Sequence, residues 1–269
     1  MTERLNKLDG KRWLQYSFSI WKDVQKNQEE WKLKHPAMFP IKLAERLIEI
    51  FTNKPDQLVL DPFMGSGSTL IAAQIMKMKG IGFDVSKEYC EMAKHRLENI
   101  YKDMFNGTNY EIFCDSALNL KNYLQPNSVD LSITSPPYWD ILNRKRTADR
   151  KAIQNYSDSK LDFGNIEIYE DFLLSLQKVF KEVYDVLKPK HHCIVVVMDI
   201  RKNSTLYQFH SDLTKKMQDI GFVLNDIIIW DRQKEYNNMR PLGYPYSFIV
   251  NKVHEYILIF KKPEIKKEK

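Results

Sequence analysis

Thr134-Ser135-Pro136-Pro137-Tyr138-Trp139 follows the apolar run Val129-Asp130-Leu131-Ser132-Ile133, which reads as a buried strand. Pro136 and Pro137 have no backbone N–H for a neighbouring strand and hold φ at about −65°, so the strand stops and its last carbonyls point in fixed directions. In an open α/β sheet the carboxyl ends of the strands are where ligands bind. Ser135 supplies a hydroxyl there, the prolines supply preset carbonyls and Tyr138 an aromatic plate, a set that can hold a flat ring bearing an amino group. Taken alone, the six residues fit a proline-terminated strand with two core aromatics equally well, and the rest of the chain decides.

At 269 residues and 43% hydrophobic content the chain can build a real core as one large α/β domain or two small ones. It has no apolar run long enough to cross a bilayer, and Met1–Lys7 lacks the hydrophobic region of a secretory signal, so a cytoplasmic protein with no membrane contact is expected. Cys90, Cys114 and Cys193 have no paired metal spacing and each lies in an apolar element, which predicts buried thiols, no disulfide and no metal site. The net charge of +6 favours a polyanionic partner, although part of the excess sits in Lys261–Lys269, expected to be a solvated tail.

Upstream of the proline stretch, Leu58-Val59-Leu60 reads as a short strand that runs into Asp61-Pro62-Phe63-Met64-Gly65-Ser66-Gly67-Ser68-Thr69 and then a helix to about Met78. Glycines in such a turn let the backbone approach a ligand, and the helix that follows presents free N–H groups to an anion. The stretch is not a phosphate-binding P-loop, since no Lys-Ser/Thr pair follows the second glycine, and it lacks the three-glycine dinucleotide spacing. Gly80–Asp84 reads as the next strand and ends on a carboxylate about twenty residues on, where such folds place an acid on ribose hydroxyls. Glu111–Cys114 is a third strand, ending at Asp115-Ser116. Strands ending in Asp61, Asp84 and Asp115, followed by one ending in Ser-Pro-Pro-Tyr, imply a ligand lying across the sheet edge.

The remaining elements are expected as follows. Residues 1–34, with Trp13, Trp21 and Trp31, form a surface arm; His35-Pro36-Ala37-Met38-Phe39-Pro40 leads rigidly into a helix over about 41–51; a helix spans about 87–101. Residues 140–167 form a polar, basic loop carrying Arg144, Lys145 and Arg146. A helix over about 169–187 stops at Lys188-Pro189, the strand Cys193–Met198 is apolar throughout, and a helix carrying Leu206, His210, Leu213, Met217 and Ile220 leads to the strand Phe222–Trp230. The loop 231–247, with Arg232 and Arg240, precedes a closing strand His254–Phe260. With no repeat and no Gly/Ser linker, 1–269 reads as a single domain.

From about His35 to Phe260 the sequence resembles the amino-methyltransferases of DNA, which move a methyl group from S-adenosylmethionine to the exocyclic amine of cytosine or adenine. Residues 61–69 are similar to that family's cofactor motif and residues 134–139 to its catalytic motif. The resemblance implies a Rossmann-like, seven-stranded, mostly parallel sheet with an antiparallel last strand and helices on both faces. It implies that His35, Pro36 and Pro40 flank the methionine end of the cofactor, and that Asp61 and the turn Phe63, Met64, Gly65, Ser66, Gly67, Ser68 and Thr69 surround its carboxylate and amine. Asp84 would take the ribose hydroxyls and Asp115, with Ser116, the adenine. Ser135, Pro136, Pro137 and Tyr138 would be catalytic, with Ser135 Oγ and the Pro136 carbonyl accepting the amine hydrogens and Tyr138 stacked on a flipped base. Arg144, Lys145, Arg146, Arg232 and Arg240 would contact DNA.

Family members with Ser before Pro-Pro-Tyr mostly modify cytosine and those with Asp mostly adenine, so Ser135 implies N4-cytosine. Carbon-5 chemistry would need a thiol nucleophile, and no cysteine lies in the catalytic stretch. Many relatives place the catalytic motif first in the chain, whereas here the cofactor half precedes it. With no long insertion for a target-recognition domain, recognition falls to the loops 140–167 and 231–247 or to a partner such as a cognate restriction endonuclease or specificity protein. A Ser variant acting on the N6 amine of adenine in DNA is the first alternative, and an RNA amino-methyltransferase or an inactive cofactor-binding protein are the further rivals.

Overall fold

The computed structural model describes residues 4–33, 38–101, 109–140, 163–202, 204–235 and 241–264. In chain order its strands are β1 (Ile20–Trp21), β2 (Leu58–Asp61), β3 (Lys79–Phe83), β4 (Tyr110–Phe113), β5 (Val129–Thr134), β6 (Leu187–Val197), β7 (Ile200–Lys202), β8 (Thr205–Tyr207), β9 (Val223–Asp231) and β10 (His254–Lys261). Eight of them form one sheet in the order β1-β9-β10-β6-β5-β2-β3-β4. Every residue of β5 is buried, as expected of a strand whose run is apolar and whose two neighbours, β2 and β6, are both parallel to it. β10 is antiparallel to both β6 and β9, so the sheet is parallel except at this strand. The expected sheet had seven strands; the eighth is β1, where Ile20 and Trp21 of the N-terminal arm pair in parallel with Ile229 and Trp230.

Helices cover both faces because the strands alternate. Ile194 and Val196 of β6 join a cluster with Leu43 and Leu47 of α3 (Ile41–Phe51), Leu70 of α4 (Ser68–Ile75) and Ala93 of α5 (Lys87–His95). Cys193, Val195 and Val197 join the opposite cluster, with Phe172, Leu176, Val179, Phe180 and Val183 of α6 (Tyr169–Val186) and Leu213 and Met217 of α7 (Phe209–Ile220). The chain runs β2, β3, β4 toward one edge and then returns to place β5 and β6 on the other side of β2. The order therefore reverses between β2 and β5, and at that switch point the carboxyl ends of neighbouring strands splay to leave a crevice.

Several expectations change for physical reasons. The arm is not merely laid on the surface: Trp21 and Trp230 are fully buried, Trp230 Nε1 donates to the Val24 carbonyl (3.1 Å), and the Arg46 guanidinium lies over the Tyr16 and Trp21 rings while pairing with Asp23. Leu206 belongs to the β7–β8 hairpin rather than to a helix, because α7 begins only at Phe209. α6 ends at Val186 and β6 begins at Leu187 with no intervening loop, earlier than the apolar run suggested. Lys262 is buried rather than solvated, its ammonium donating to the Tyr184 and Leu187 carbonyls (both 2.7 Å) at the end of α6 and to Asn127 (2.9 Å), while burial holds its pKa below the usual lysine range. Cys90 and Cys193 are buried, but Cys114, one residue past β4, is exposed.

Candidate active site

The glycine turn begins where β2 ends. Asp61 is 1% exposed, and its carboxylate accepts from Thr69 Oγ1 (2.6 Å), Thr134 Oγ1 (2.7 Å) and the Phe63 amide (3.1 Å). One buried acid thus ties the first turn of α4 to the last residue of β5, joining the two sequence motifs. Burial, helped by the nearby Asp84 charge, pushes its pKa up to about 6 against the three hydrogen bonds that favour the carboxylate. Gly67 caps α4 with φ of 81°, and a Cβ there would stand 2.8 Å from that of Ala93, so both its backbone and its packing require glycine. Ser68 and Thr69 form the buried first residues of that helix, and Met64, also buried, donates its amide to the Phe83 carbonyl (2.9 Å).

Asp84, just past β3, is buried and accepts from the Gly65 amide (2.9 Å) and the Ser86 amide (2.8 Å). Asp115, just past β4, accepts from the Ser116 amide (2.7 Å), Asn119 Nδ2 (3.0 and 3.1 Å) and the Tyr123 hydroxyl (2.9 Å). What burial it has raises its pKa, but the bonds from Tyr123, Asn119 and Ser116 outweigh that and hold the carboxyl below the usual range. Both acids line an open cleft together with Pro62, Phe63, Val85, Ser116, Ala117, Pro137, Phe163 and Val179. The cleft thus joins apolar walls from Phe63, Phe163 and Pro137 to carboxylates at two strand ends. Pro137 of the catalytic stretch is part of the same wall, so the two motifs meet in one cavity.

Beyond the cleft, Ser135 Oγ lies 3.1 Å from the Tyr138 hydroxyl, which donates to Glu255 Oε2 (3.0 Å). Glu255 Oε1 pairs with Arg232, whose other guanidinium nitrogens bind Glu235 (2.7 and 3.2 Å). Burial, and next the Glu255 charge, push the Tyr138 hydroxyl well above its ordinary pKa, so it remains a donor. Tyr138 packs edge-on against Phe209, and Trp139 follows with a left-handed φ of 50°, its indole donating to the Ile166 carbonyl (2.8 Å). A non-glycine residue in that region is a strained position of the kind that collects at functional sites.

Of the expected site residues, Asp61, Phe63 to Thr69, Asp84, Asp115, Ser116 and Ser135 to Tyr138 gather at this edge. Pro40 caps α3 nearby in sequence to the turn's partner Met38, whose sulfur meets Ser66 Oγ (3.8 Å). His35 and Pro36 lie outside the described residues, as do Arg144, Lys145, Arg146 and Arg240. Arg232, expected to face DNA, is only 14% exposed because its guanidinium is engaged by two carboxylates. Sequence reading missed Glu255, the cleft wall Phe163, and Arg96; the one available signal for Glu255 is an acid at the start of a closing strand that is apolar from Tyr256 to Phe260. Among the described residues no cluster of ligating side chains could hold a metal ion.

With the geometry of this sheet edge established, the comparisons with known proteins place the chain in a family. A family model described as DNA methylase, covering the N6 and N4 methyltransferases, matches residues 3–95 and 129–269, and the chain belongs to that family. It is similar to the orphan methyltransferase M.BamHII of Bacillus amyloliquefaciens, 41% identical over 35% of this chain and 38% of that protein. It is also similar to the Type II methyltransferase M.HpaI of Haemophilus parainfluenzae, 45% identical over 27% of this chain and 22% of that protein. The chain thus spans less than two fifths of these relatives' length. In structure it is similar to a SAM-dependent O-methyltransferase of Thermotoga maritima, with a TM-score of 0.53 at 12% identity over 89% of this chain and 72% of that one, a likeness of fold alone.

Proposed function

We propose that this chain is a DNA methyltransferase that transfers a methyl group from S-adenosylmethionine to the N4 amine of a flipped-out cytosine. The observation that carries this reading is the single cleft in which Pro137 of the Ser-Pro-Pro-Tyr stretch faces Asp84 and Asp115 of the cofactor half. Bound there, S-adenosylmethionine supplies an electrophilic methyl group on its sulfonium. The chain supplies orientation: an aromatic amine is a poor nucleophile because its lone pair is delocalised into the ring, and acceptors at Ser135 Oγ and the Pro136 carbonyl direct that pair toward the donor. Tyr138 provides the stacking face, and no covalent bond to the protein is needed: as the N–CH3 bond forms the S–CH3 bond breaks, the sulfonium leaves as a neutral thioether and the amine sheds one proton to solvent. The cofactor roles of Asp84 toward ribose and Asp115 toward adenine belong to the same reading.

The loop before β10 favours DNA over a small substrate. It leaves the same sheet edge as Ser135, and Tyr244, Tyr246 and Phe248 in it are 79, 94 and 96% exposed, the kind of aromatic surface on which bases stack. We take the chain to act as one cytoplasmic catalytic domain, with the loops 140–167 and 231–247 touching the duplex; no helix among the described residues is long and apolar enough to cross a membrane. Incubation with tritiated S-adenosylmethionine and duplex DNA, with total RNA in parallel, tests the proposal. Digested DNA should yield labelled N4-methylcytosine. Label in N6-methyladenine alone would move the substrate to adenine, label in RNA alone would refute the DNA assignment, and no label in either would refute the enzyme.

A further inference from the structure

Ser135 can accept a hydrogen bond from a substrate amine only if its own hydroxyl hydrogen points elsewhere, and the chain of groups behind it determines where. Glu255, on β10, lies 117 positions from Tyr138 in sequence yet is 4% exposed and held by the Arg232 guanidinium, which is also braced by Glu235. A carboxylate only accepts, so the Tyr138 hydroxyl must donate to it, at 3.0 Å. With its hydrogen committed, Tyr138 Oη can only accept from its other neighbour, Ser135 Oγ, at 3.1 Å. The Ser135 hydrogen is thereby drawn away from the substrate side and its lone pairs are left facing it.

We propose that Glu255, held by Arg232, is a positioning residue that sets the hydrogen-bond polarity of the catalytic stretch, making Ser135 an obligate acceptor for the target amine. This rests on the amino-methyltransferase reading above and adds to it residues outside both sequence motifs. It also separates two roles of Tyr138: its ring stacks on the base, and its hydroxyl relays the direction imposed by Glu255. Without the carboxylate, the Ser135 hydroxyl is free to turn its hydrogen toward the amine nitrogen, where it would compete for the lone pair that must attack.

Single-turnover methyl transfer to duplex DNA, measured on the full chain for the wild type, Glu255→Gln, Tyr138→Phe and the double variant, tests this. Glu255→Gln keeps the shape but presents an amide that can donate to Tyr138; Tyr138→Phe keeps the ring and the Arg232–Glu255 pair but removes the relay. Each single variant should slow the transfer step about tenfold to a hundredfold, the range expected of a misdirected reacting group, with KM for DNA and the calorimetric affinity for S-adenosylmethionine changed less than about threefold. The double variant should be no slower than the worse single one, since both break the same chain. Undiminished transfer in either folded variant, or losses that multiply in the double, would overturn the polarity role while leaving the wild-type activity standing. Because Tyr138→Phe leaves the salt bridge in place, poor folding of Glu255→Gln would not shelter the idea. A wild type silent on DNA would instead overturn the amino-methyltransferase reading, and this inference with it.

Discussion

Asp61 shows how much one residue can be asked to do. It is buried, accepts three hydrogen bonds and joins the cofactor turn to the catalytic strand, yet burial still raises its pKa to about 6. Between the ordinary carboxylate range and pH 6 the folded protein keeps a proton that the unfolded chain has released. Stability contributed by this group therefore falls as pH rises through that window, by on the order of 2–3 kcal/mol, and no longer changes above it. Asn at this position retains an acceptor for Thr134 and Phe63, and the Thr69 hydroxyl can rotate to accept from the amide. Asp61→Asn should thus gain melting temperature relative to the wild type as pH is raised from 4 to 7. A difference between the two proteins that stays constant over that range would show that Asp61 does not titrate as its surroundings dictate. The acid itself was legible in the sequence as a strand-end carboxylate. Its partners were not, because Thr134 lies 73 positions away and only the β2–β5 pairing brings it near.

At the scale of elements, the cofactor turn is held from behind by the N-terminal arm. α5 passes into a single π-helical turn (Arg96–Ile100), an irregularity that sequence periodicity reads as plain helix and that is frequent at functional sites. Its first residue, Arg96, is fully buried: Nη1 donates to the Ser66 carbonyl (2.6 Å) within the glycine turn, while Nη2 and Nε donate to Glu29 (3.0 and 3.2 Å) of α2 (Gln28–Lys32). The capping box of α2 adds to the brace, since Glu30 also accepts from the Ile41 amide at the start of α3 (2.6 Å). Arg96→Leu leaves the Ser66 carbonyl without its donor, while Glu29 keeps the Tyr101 hydroxyl (2.8 Å) and some solvent, and should cost about 1–3 kcal/mol of stability in urea unfolding. Arg96→Lys keeps a charge, but one ammonium cannot serve the turn and the arm together as the planar fork does. The folded lysine variant should therefore bind S-adenosylmethionine more weakly by calorimetry, and unchanged affinity would remove the brace from the cofactor site. This is why the arm carried no legible chemistry: its work is done through a guanidinium on another element.

Over the whole molecule, what the sequence displayed were the features with local periodicity or local punctuation. The helix over 41–51, the strands ending in Asp61, Asp84 and Asp115, the proline-stopped β5 and the closing strand stand within a residue or two of where apolar spacing and glycine or proline signals put them, while the antiparallel direction of the closing strand came from the family resemblance. Hidden were the eighth strand, two residues too short to show a period, and the Glu255–Tyr138 contact, which exists only because β10 inserts between β6 and β9. The charge balance was legible as a sum but not as a surface: of the basic residues assigned to DNA, Arg232 is engaged internally, while Arg144, Lys145, Arg146 and Arg240 lie outside the described residues. The proposed function assigns polyanion binding to the loop 140–167 that follows Trp139. Phosphate contacts release counterions, so each one lost should lower the slope of log affinity against log salt by about 0.9. Charge reversal at Arg144 and Arg146 together should weaken DNA binding at low salt and flatten that slope by about 2 if each touches one phosphate, with cofactor affinity unaltered. The matching reversal at Arg232 should behave differently, lowering melting temperature and methyl transfer through loss of the Glu255 pair while leaving the salt slope near that of the wild type. Unchanged affinity in the Arg144/Arg146 variant would make that loop a solvated one, and a salt slope lost at Arg232 would return that residue to the DNA surface.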